Sequence, residues 1–221
     1  MDYKVHLIVG ASASGKTTIG KELDKKGMEQ LVSVTTRPIR KGEVDGVDYH
    51  FVSEDEVHRL DLVESTVYAG NTYGLTREEV FEKTKYTDTY FITDKHGAEQ
   101  IIDILPDDCT YFWIEITPEL MLERMIQRGD SAEDAVKRYH HAIKTGELEA
   151  PEVKHIRLDS TANPKMNAYF IMSAWTEILR NVLIGGNYGT RINTKHTNVY
   201  TYAIILWRLW WTWNIRFRVR G

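Results

Sequence analysis

At 221 residues the chain has room for one ordinary domain plus an appendage, which excludes collagen-like, disulfide-stapled and disordered classes. Its 28 Lys and Arg against 32 Asp and Glu give a formal net charge of -4, and that total points to no nucleic-acid partner. Divided after Arg180, the same charges resolve into a body with 22 basic and 32 acidic residues, net -10, and a tail with 6 basic and no acidic residues, net +6.

Strand-like and helix-like stretches alternate along the body. Val5 to Val9 reads as a buried strand, Lys16 to Lys26 as a helix and Leu31 to Thr35 as a short strand. Asp45-Gly46 marks a turn before an extended run from Val47 to Val52. Ser53 then opens a Ser-x-x-Glu capping pattern for a helix reaching about Asp61. Next come a strand at Leu62 to Val67, a Gly70-Asn71 turn, a helix at Thr76 to Lys83 and a strand at Thr89 to Thr93. A helix at Lys95 to Ile104 stops before Pro106, and Thr110 to Ile116 is a strongly apolar strand. Helices at Pro118 to Gln127 and Ala132 to Thr145, a strand at Val153 to Leu158 and a helix at Pro164 to Leu183 complete the body. Strand and helix in this order predict an α/β fold with a parallel sheet wrapped by helices.

Cys109 is the one cysteine, so no intrachain disulfide forms, and a reducing, cytoplasmic compartment is expected. Residues 1–10 read as a first strand rather than a signal peptide, because a short apolar run ends in glycine without a cleavage site.

The sharpest local signal is Gly10-Ala11-Ser12-Ala13-Ser14-Gly15-Lys16-Thr17, a Gly-x4-Gly-Lys-Thr loop between a buried strand and a helix. Backbone N–H groups of such a loop surround a phosphate, and the helix dipole adds positive character at the same spot. The pattern predicts a nucleoside triphosphate there, with Lys16 reaching its β- and γ-phosphates and the Thr17 hydroxyl facing Mg2+. The adjacent His140 and His141 point about 100° apart on a helix, the wrong arrangement for joint metal ligation.

A second constellation runs Ser33-Val-Thr-Thr-Arg37-Pro-Ile-Arg40-Lys-Gly-Glu43-Val-Asp-Gly46-Val-Asp-Tyr49-His-Phe51. Two arginines three apart and a tyrosine nine further on suit a dianionic phosphate, because guanidinium forks supply charge and planar donors and a phenol adds one bond.

The Thr-Thr-Arg-x-x-Arg-x-Gly-Glu-x-x-Gly-x-Asp-Tyr-x-Phe run resembles the guanylate kinase family closely. The resemblance continues through Glu64 to Tyr73-Gly74, Asp94-Lys-His-Gly97-Ala and Arg124-x3-Arg128-Gly129, and covers about the first 180 residues. It implies a P-loop NTPase of three layers, α/β/α, with a small nucleoside-monophosphate-binding insertion and a lid. It implies MgATP as phosphoryl donor and GMP or dGMP as acceptor. Carried over by position, Gly10 to Thr17 and Arg124 would bind ATP. Ser33, Arg37, Arg40, Glu43, Tyr49, Tyr73 and Asp94 would bind the acceptor, and Glu64 would face the guanine. Lys16, Arg37, Arg128 and Arg138 would carry catalysis, the last two as lid arginines. A carboxylate at Glu64 accepts two bonds from guanine, whereas adenine would turn a bare ring nitrogen toward it.

Three positions depart from the family pattern. Leu75 replaces a usual hydroxyl, Ile92 replaces the first carboxylate of an Asp-x-Asp pair, and the lid is one residue short between Arg128 and Arg138. They keep two alternatives open, a kinase for a different monophosphate and a non-catalytic module of the same fold. The domain reading is 1–183 for the kinase-like body and 184–221 for the tail. The tail carries four of the 6 tryptophans, and its run Val199 to Trp213 is too short to span a bilayer. It fits a membrane-surface or protein contact, or an appendage without selected function. Oligomeric state is left open.

Overall fold

The computed structural model describes residues 3–68 and 70–173. The chain divides into two units, Met1–Ala168 and Tyr169–Gly221, and every strand among the described residues belongs to the first. The expected boundary at 183/184, and the whole tail, lie outside the described residues.

In chain order the elements are β1 (Val5–Val9), α1 (Lys16–Asp24), β2 (Glu29–Gln30), β3 (Val34–Thr35), β4 (His50–Phe51), α2 (Glu54–Val57), β5 (Leu62–Tyr68) and β6 (Asn71–Thr76), followed by α3 (Arg77–Lys83) and β7 (Thr89–Thr93). Then come α4 (Lys95–Ile104), β8 (Cys109–Glu115), α5 (Pro118–Gln127), α6 (Ala132–Lys144), β9 (Ile156–Asp159) and α7 (Pro164–Ser173). Five parallel strands form the main sheet in the order β2-β7-β1-β8-β9. The central strand β1 is buried along its whole length, which is why it reads as a continuous apolar run. Side chains alternate across it. Val5, Leu7 and Val9 meet Ala98 and Ile101 of α4 on one face. On the other face α1 comes so close that a Cβ at Gly20 would lie 3.1 Å from Tyr90 and Ile92. Helices thus cover both faces of the sheet, giving the expected three layers.

Four further strands form a smaller mixed sheet in the order β4-β3-β6-β5. In this sheet the structure corrects the sequence-based expectations. The single strand expected over Leu31 to Thr35 is two: β2 ends in the main sheet, and after Leu31 donates to the Tyr90 carbonyl the chain crosses to the small sheet as β3. The extended run expected from Val47 to Val52 keeps only His50–Phe51 as strand, because the Val47 and Asp48 amides fold back onto the Val44 carbonyl. Strand β6 was not foreseen at all. The Ser53 capping box is complete, but α2 stops at Val57, its one buried residue.

Helix starts follow their capping residues. Thr76, Asp94, Thr117 and Ser131 each accept a hydrogen bond from the amide three residues on, an interaction of about 1 kcal/mol. α1 differs. Its first position is preceded by Gly15 at φ 108, and no side chain caps it. Cys109 is a free, half-buried thiol whose pKa burial pushes up to about 12, so it behaves as a packed residue rather than a nucleophile. Among the described residues no helix is long and apolar enough to cross a membrane.

Leu75 on β6 is fully buried in the cluster that joins the small sheet to α4 and β1. Leu75→Ala is expected to lower unfolding stability by about 2–5 kcal/mol, seen as a lower denaturant midpoint at unchanged m-value.

Candidate active site

The loop between β1 and α1 is shaped by two glycines. A Cβ on Gly10 would come 2.8 Å from the Ile114 carbonyl oxygen, so β1 can lie this close to β8 only without a side chain there. Gly15 turns the chain through the left-handed region, and Ala13 also has a positive φ, 60°, at a cost of about 1 kcal/mol. The first turn of α1 has no side-chain cap, so its leading amides are not satisfied in that way. The Ser14 hydroxyl, fully buried beneath the loop, has no hydrogen-bond partner among the described residues. Lys16 folds back over the loop, its ammonium donating to the Gly10 carbonyl at 2.5 Å and the Ala11 carbonyl at 3.0 Å. Desolvation lowers its pKa to about 8, against the opposing pull of Glu147 and Asp94. Thr17 is exposed at the same turn, its hydroxyl committed to no described residue.

Beside the loop lies a cleft of about 330 Å³, walled by Ala13, Ser14, Gly15, Thr18 and Arg124 and by residues 160–164 with Asn167. Arg124 forms one wall and ties the others together, donating to the Ala13 carbonyl at 3.2 Å and to the Ser160 carbonyl at 2.7 Å. The segment after β9 was missed from sequence, because its run of small and polar residues has no pattern beyond that of a turn.

The acceptor constellation gathers on the small sheet. Arg37 is buried beneath two rings, 5.5 Å from the Tyr49 centroid and 5.6 Å from the Phe51 centroid. Its guanidinium forms a bidentate pair with Glu43 at 3.0 and 2.8 Å, and also donates to the Pro38 carbonyl. The hydrogen bond to Glu43 holds the Arg37 pKa above its ordinary value, with a further raising contribution from Tyr73. Tyr73 packs edge-to-face on Tyr49 at 5.8 Å. Glu43 also accepts from the Arg40 amide, so both its oxygens are engaged in holding this turn. The Arg40 side chain is exposed, and its guanidinium forms no hydrogen bond or ion pair with the described residues. Ser33 stands at the entry to β3, its carbonyl accepting from the His50 amide. Arg37, Arg40, Glu43, Tyr49 and Tyr73 therefore meet, and Arg40 is the cation left over.

Glu64 is the anomaly in this sheet, a carboxylate only 5 % exposed on β5, accepting no hydrogen bond from the described residues. Burial, reinforced by the Asp94 charge, raises its pKa to about 7. It packs against the first turn of α4, where any side chain at Gly97 would collide with the Thr93 hydroxyl and the Glu64 carboxylate. Leu75 lies directly opposite Glu64 in the β5–β6 register, so no hydroxyl flanks it from that side. The nearby Thr93 hydroxyl was not singled out from sequence. Asp94 caps α4 through the Gly97 amide at 2.8 Å, and its charge is felt at both Lys16 and Glu64, placing it between the loop and the acceptor sheet. Ile92, which stands where a carboxylate was expected, packs on Gly20 of α1.

The expected lid is the α5–α6 hairpin, whose Met121, Met125, Ala135 and Ala142 share a buried cluster with Ala11 of the loop. Arg128 and Arg138 stand at its open side, both exposed, and both within ion-pair reach of Asp130. Asp130 and Glu147 went unread from sequence, since single carboxylates in a charged hairpin carry no pattern.

Residues 2–155 match the model of the guanylate kinase family, described as Guanylate kinase. The chain belongs to the guanylate kinase family. It is 35% identical over 142 residues to a guanylate kinase of Thermobifida fusca, covering 61% of this chain and 72% of that protein. It is 37% identical over 139 residues to a guanylate kinase of Symbiobacterium thermophilum, covering 60% and 66%. A crystal structure of guanylate kinase from Anaplasma phagocytophilum superposes with a TM-score of 0.58 at 23% identity, over 82% of this chain and 86% of that one, and shares the fold. The family match spans the loop, the acceptor sheet and the lid; the outer cleft wall at 160–167 lies beyond it.

The raised pKa of Glu64 fixes a sign. The folded protein keeps this proton up to about pH 7, whereas the unfolded chain loses it near 4.5, so the stability contributed by the protonated group is lost as pH rises through that window. Glu64→Gln is therefore expected to gain on the parent by up to about 3 kcal/mol between pH 4.5 and 7 and to hold that gain above pH 7, measured by urea unfolding of the ligand-free proteins. A pH-independent difference would contradict the assignment.

Proposed function

We propose that this member of the guanylate kinase family transfers the γ-phosphoryl group of MgATP to GMP or dGMP, forming ADP and GDP or dGDP. The observation that carries the reading is Glu64, a buried acceptor with no protein donor among the described residues. Guanine offers two adjacent N–H groups, N1–H and the exocyclic amine, which match the two lone-pair directions of one carboxylate. Binding them favours the ionised form and offsets the desolvation that the free protein tolerates. Adenine has no donor at that ring position and leaves the charge unpaired.

The other residues take roles that follow from their surroundings. Arg40 supplies the free charge for the acceptor phosphate, and Arg37, held by Glu43 and stacked under Tyr49, presents a fixed edge of its guanidinium to it. Tyr49 and Tyr73 add phenol donors, with Ser33 beside them. At the other end the amides of Gly10–Lys16 surround the triphosphate, and Lys16 exchanges two carbonyls for phosphate oxygens. The cleft beside Arg124 receives the adenosine. Thr17 suits Mg2+, which keeps most of its waters and phosphate oxygens and needs little more than one neutral hydroxyl from the protein. When bound, Mg2+ offsets charge on the β- and γ-phosphates.

An acceptor phosphate oxygen attacks the γ-phosphorus in line as the bond to the β-phosphate oxygen breaks, and Lys16, Arg37, Arg128 and Arg138 are the cations proposed to balance the charge that shifts. Asp94 is proposed to stand between the two nucleotides, and its charge, after that of Glu147, partly opposes the desolvation that lowers the Lys16 pKa. The missing hydroxyl at Leu75 removes about 1 kcal/mol of guanine recognition, less than Glu64 provides. A cytoplasmic location belongs to the same reading, on the strength of the unpaired Cys109.

A coupled ADP-release assay across GMP, dGMP, AMP, IMP and UMP checks the proposal. Turnover with GMP and dGMP should exceed that with AMP and UMP by about 100-fold or more, with IMP between because it lacks the amine. Absence of turnover with every acceptor would favour a binding module, and best turnover with AMP or UMP would reject Glu64 as a guanine reader.

A further inference from the structure

Helix α5 ends in a turn that brings its last arginine face to face with a carboxylate two residues on. Arg128 is the C-cap, Gly129 follows at φ 99, and the amides of Gly129 and Asp130 donate back to the carbonyls of Ile126 and Met125, both at 3.0 Å. This is the Schellman arrangement, and Gly129 is needed for its φ rather than for space, since a Cβ there would meet nothing within 4 Å. The reversal sets Asp130 against the side of the Arg128 guanidinium, with Nε at 2.9 Å from Oδ1 and Nη2 at 2.5 Å from Oδ2. The same Oδ2 lies 3.9 Å from Nε of Arg138, reached from the first turns of α6.

A guanidinium has five N–H donors in one plane, and this side-on fork uses two of them. Three remain on the far edge. An exposed arginine otherwise loses about 2 kcal/mol of rotamer freedom when a ligand fixes it, and here the fork has already fixed the plane. The shared carboxylate also screens two cations from each other, which lets Arg128 and Arg138 stand together while no polyphosphate is present. Lys16 feels the Arg128 charge, so the pair stands within electrostatic reach of the phosphate loop.

We infer that Asp130 is a positioning residue for phosphoryl transfer, holding Arg128 side-on and Arg138 beside it so that their free edges meet the transferring group. This inference rests on the proposed kinase reading. Asp130 touches neither nucleotide. It acts through the arginines, so its removal should slow the transfer step more than it weakens substrate binding.

Steady-state kinetics of the full chain with MgATP and GMP test it. Asp130→Asn is expected to lower kcat by about tenfold or more with both KM values within about threefold, and Asp130→Glu, which keeps a forked acceptor, to recover part of the loss. In an Arg128→Ala background the effect of Asp130→Asn should shrink below about threefold, because its main target is gone. An unchanged or increased kcat in Asp130→Asn overturns the inference, as does an undiminished loss in the Arg128→Ala background. Equal loss in the Asn and Glu variants together with a lowered Tm would make the residue structural and overturn it too. A parent chain inactive toward GMP would remove the kinase reading and this inference with it, whereas an active parent insensitive at Asp130 removes the inference alone.

Discussion

The uncapped start of α1 is the constraint on which the active end depends. Among the described residues five other helices begin on a side chain that satisfies one of their free amides, but α1 begins on Gly15 and has no such partner. The chain reaches this state through a close approach at Gly10 and left-handed conformations at Ala13 and Gly15, all mildly unfavourable by themselves. What the protein leaves unsatisfied there, a phosphate can satisfy. Lys16 donates to two loop carbonyls and carries a pKa lowered to about 8 by its burial.

The two halves of the site are opposite in sign. In the proposed reading Lys16, Arg40 and the lid arginines are the cations that meet phosphate, and Glu64, a buried carboxyl with its pKa raised to about 7, ionises as the guanine donors reach it. Asp94 acts on both, because its charge adds to the burial that raises the Glu64 pKa and partly opposes the burial that lowers that of Lys16. In the proposed reading the groups that burial makes unfavourable are the ones that contact a nucleotide, a common conflict between stability and activity. The body's net charge of -10 is a sum over the chain, and the proposed reading sets Lys16, Arg40, Arg128 and Arg138 against it locally.

Legibility from sequence followed the physics of each element. β1, α4 and α5 were placed correctly because burial of a whole strand and strong capping residues leave local marks at Val5–Val9, Asp94 and Thr117-Pro118. β6 left none, since Asn71–Thr76 mixes polar residues with Gly74 and becomes a strand only by pairing with β3 and β5. The crossing between sheets at 31–33 is likewise invisible in an apolar run. The arginines and tyrosines of the acceptor side were legible as types at a spacing, but their division of labour was not. That Arg37 is held by Glu43 while the Arg40 guanidinium has no partner among the described residues depends on how the 38–48 turn folds back. Asp130 is hidden for a related reason, because it gains its meaning from the Schellman turn at Gly129.

The central claim is that donor and acceptor sites converge so that one polyphosphate can join them. Calorimetric titration of the protein with a bisubstrate nucleotide, adenosine and guanosine at the two ends of one polyphosphate chain, tests it most directly against ATP alone. Convergence predicts binding about 100-fold tighter or better, because the second nucleoside adds to the first at high effective concentration. A Kd equal to that of ATP would mean that only one end is held, and would contradict the account.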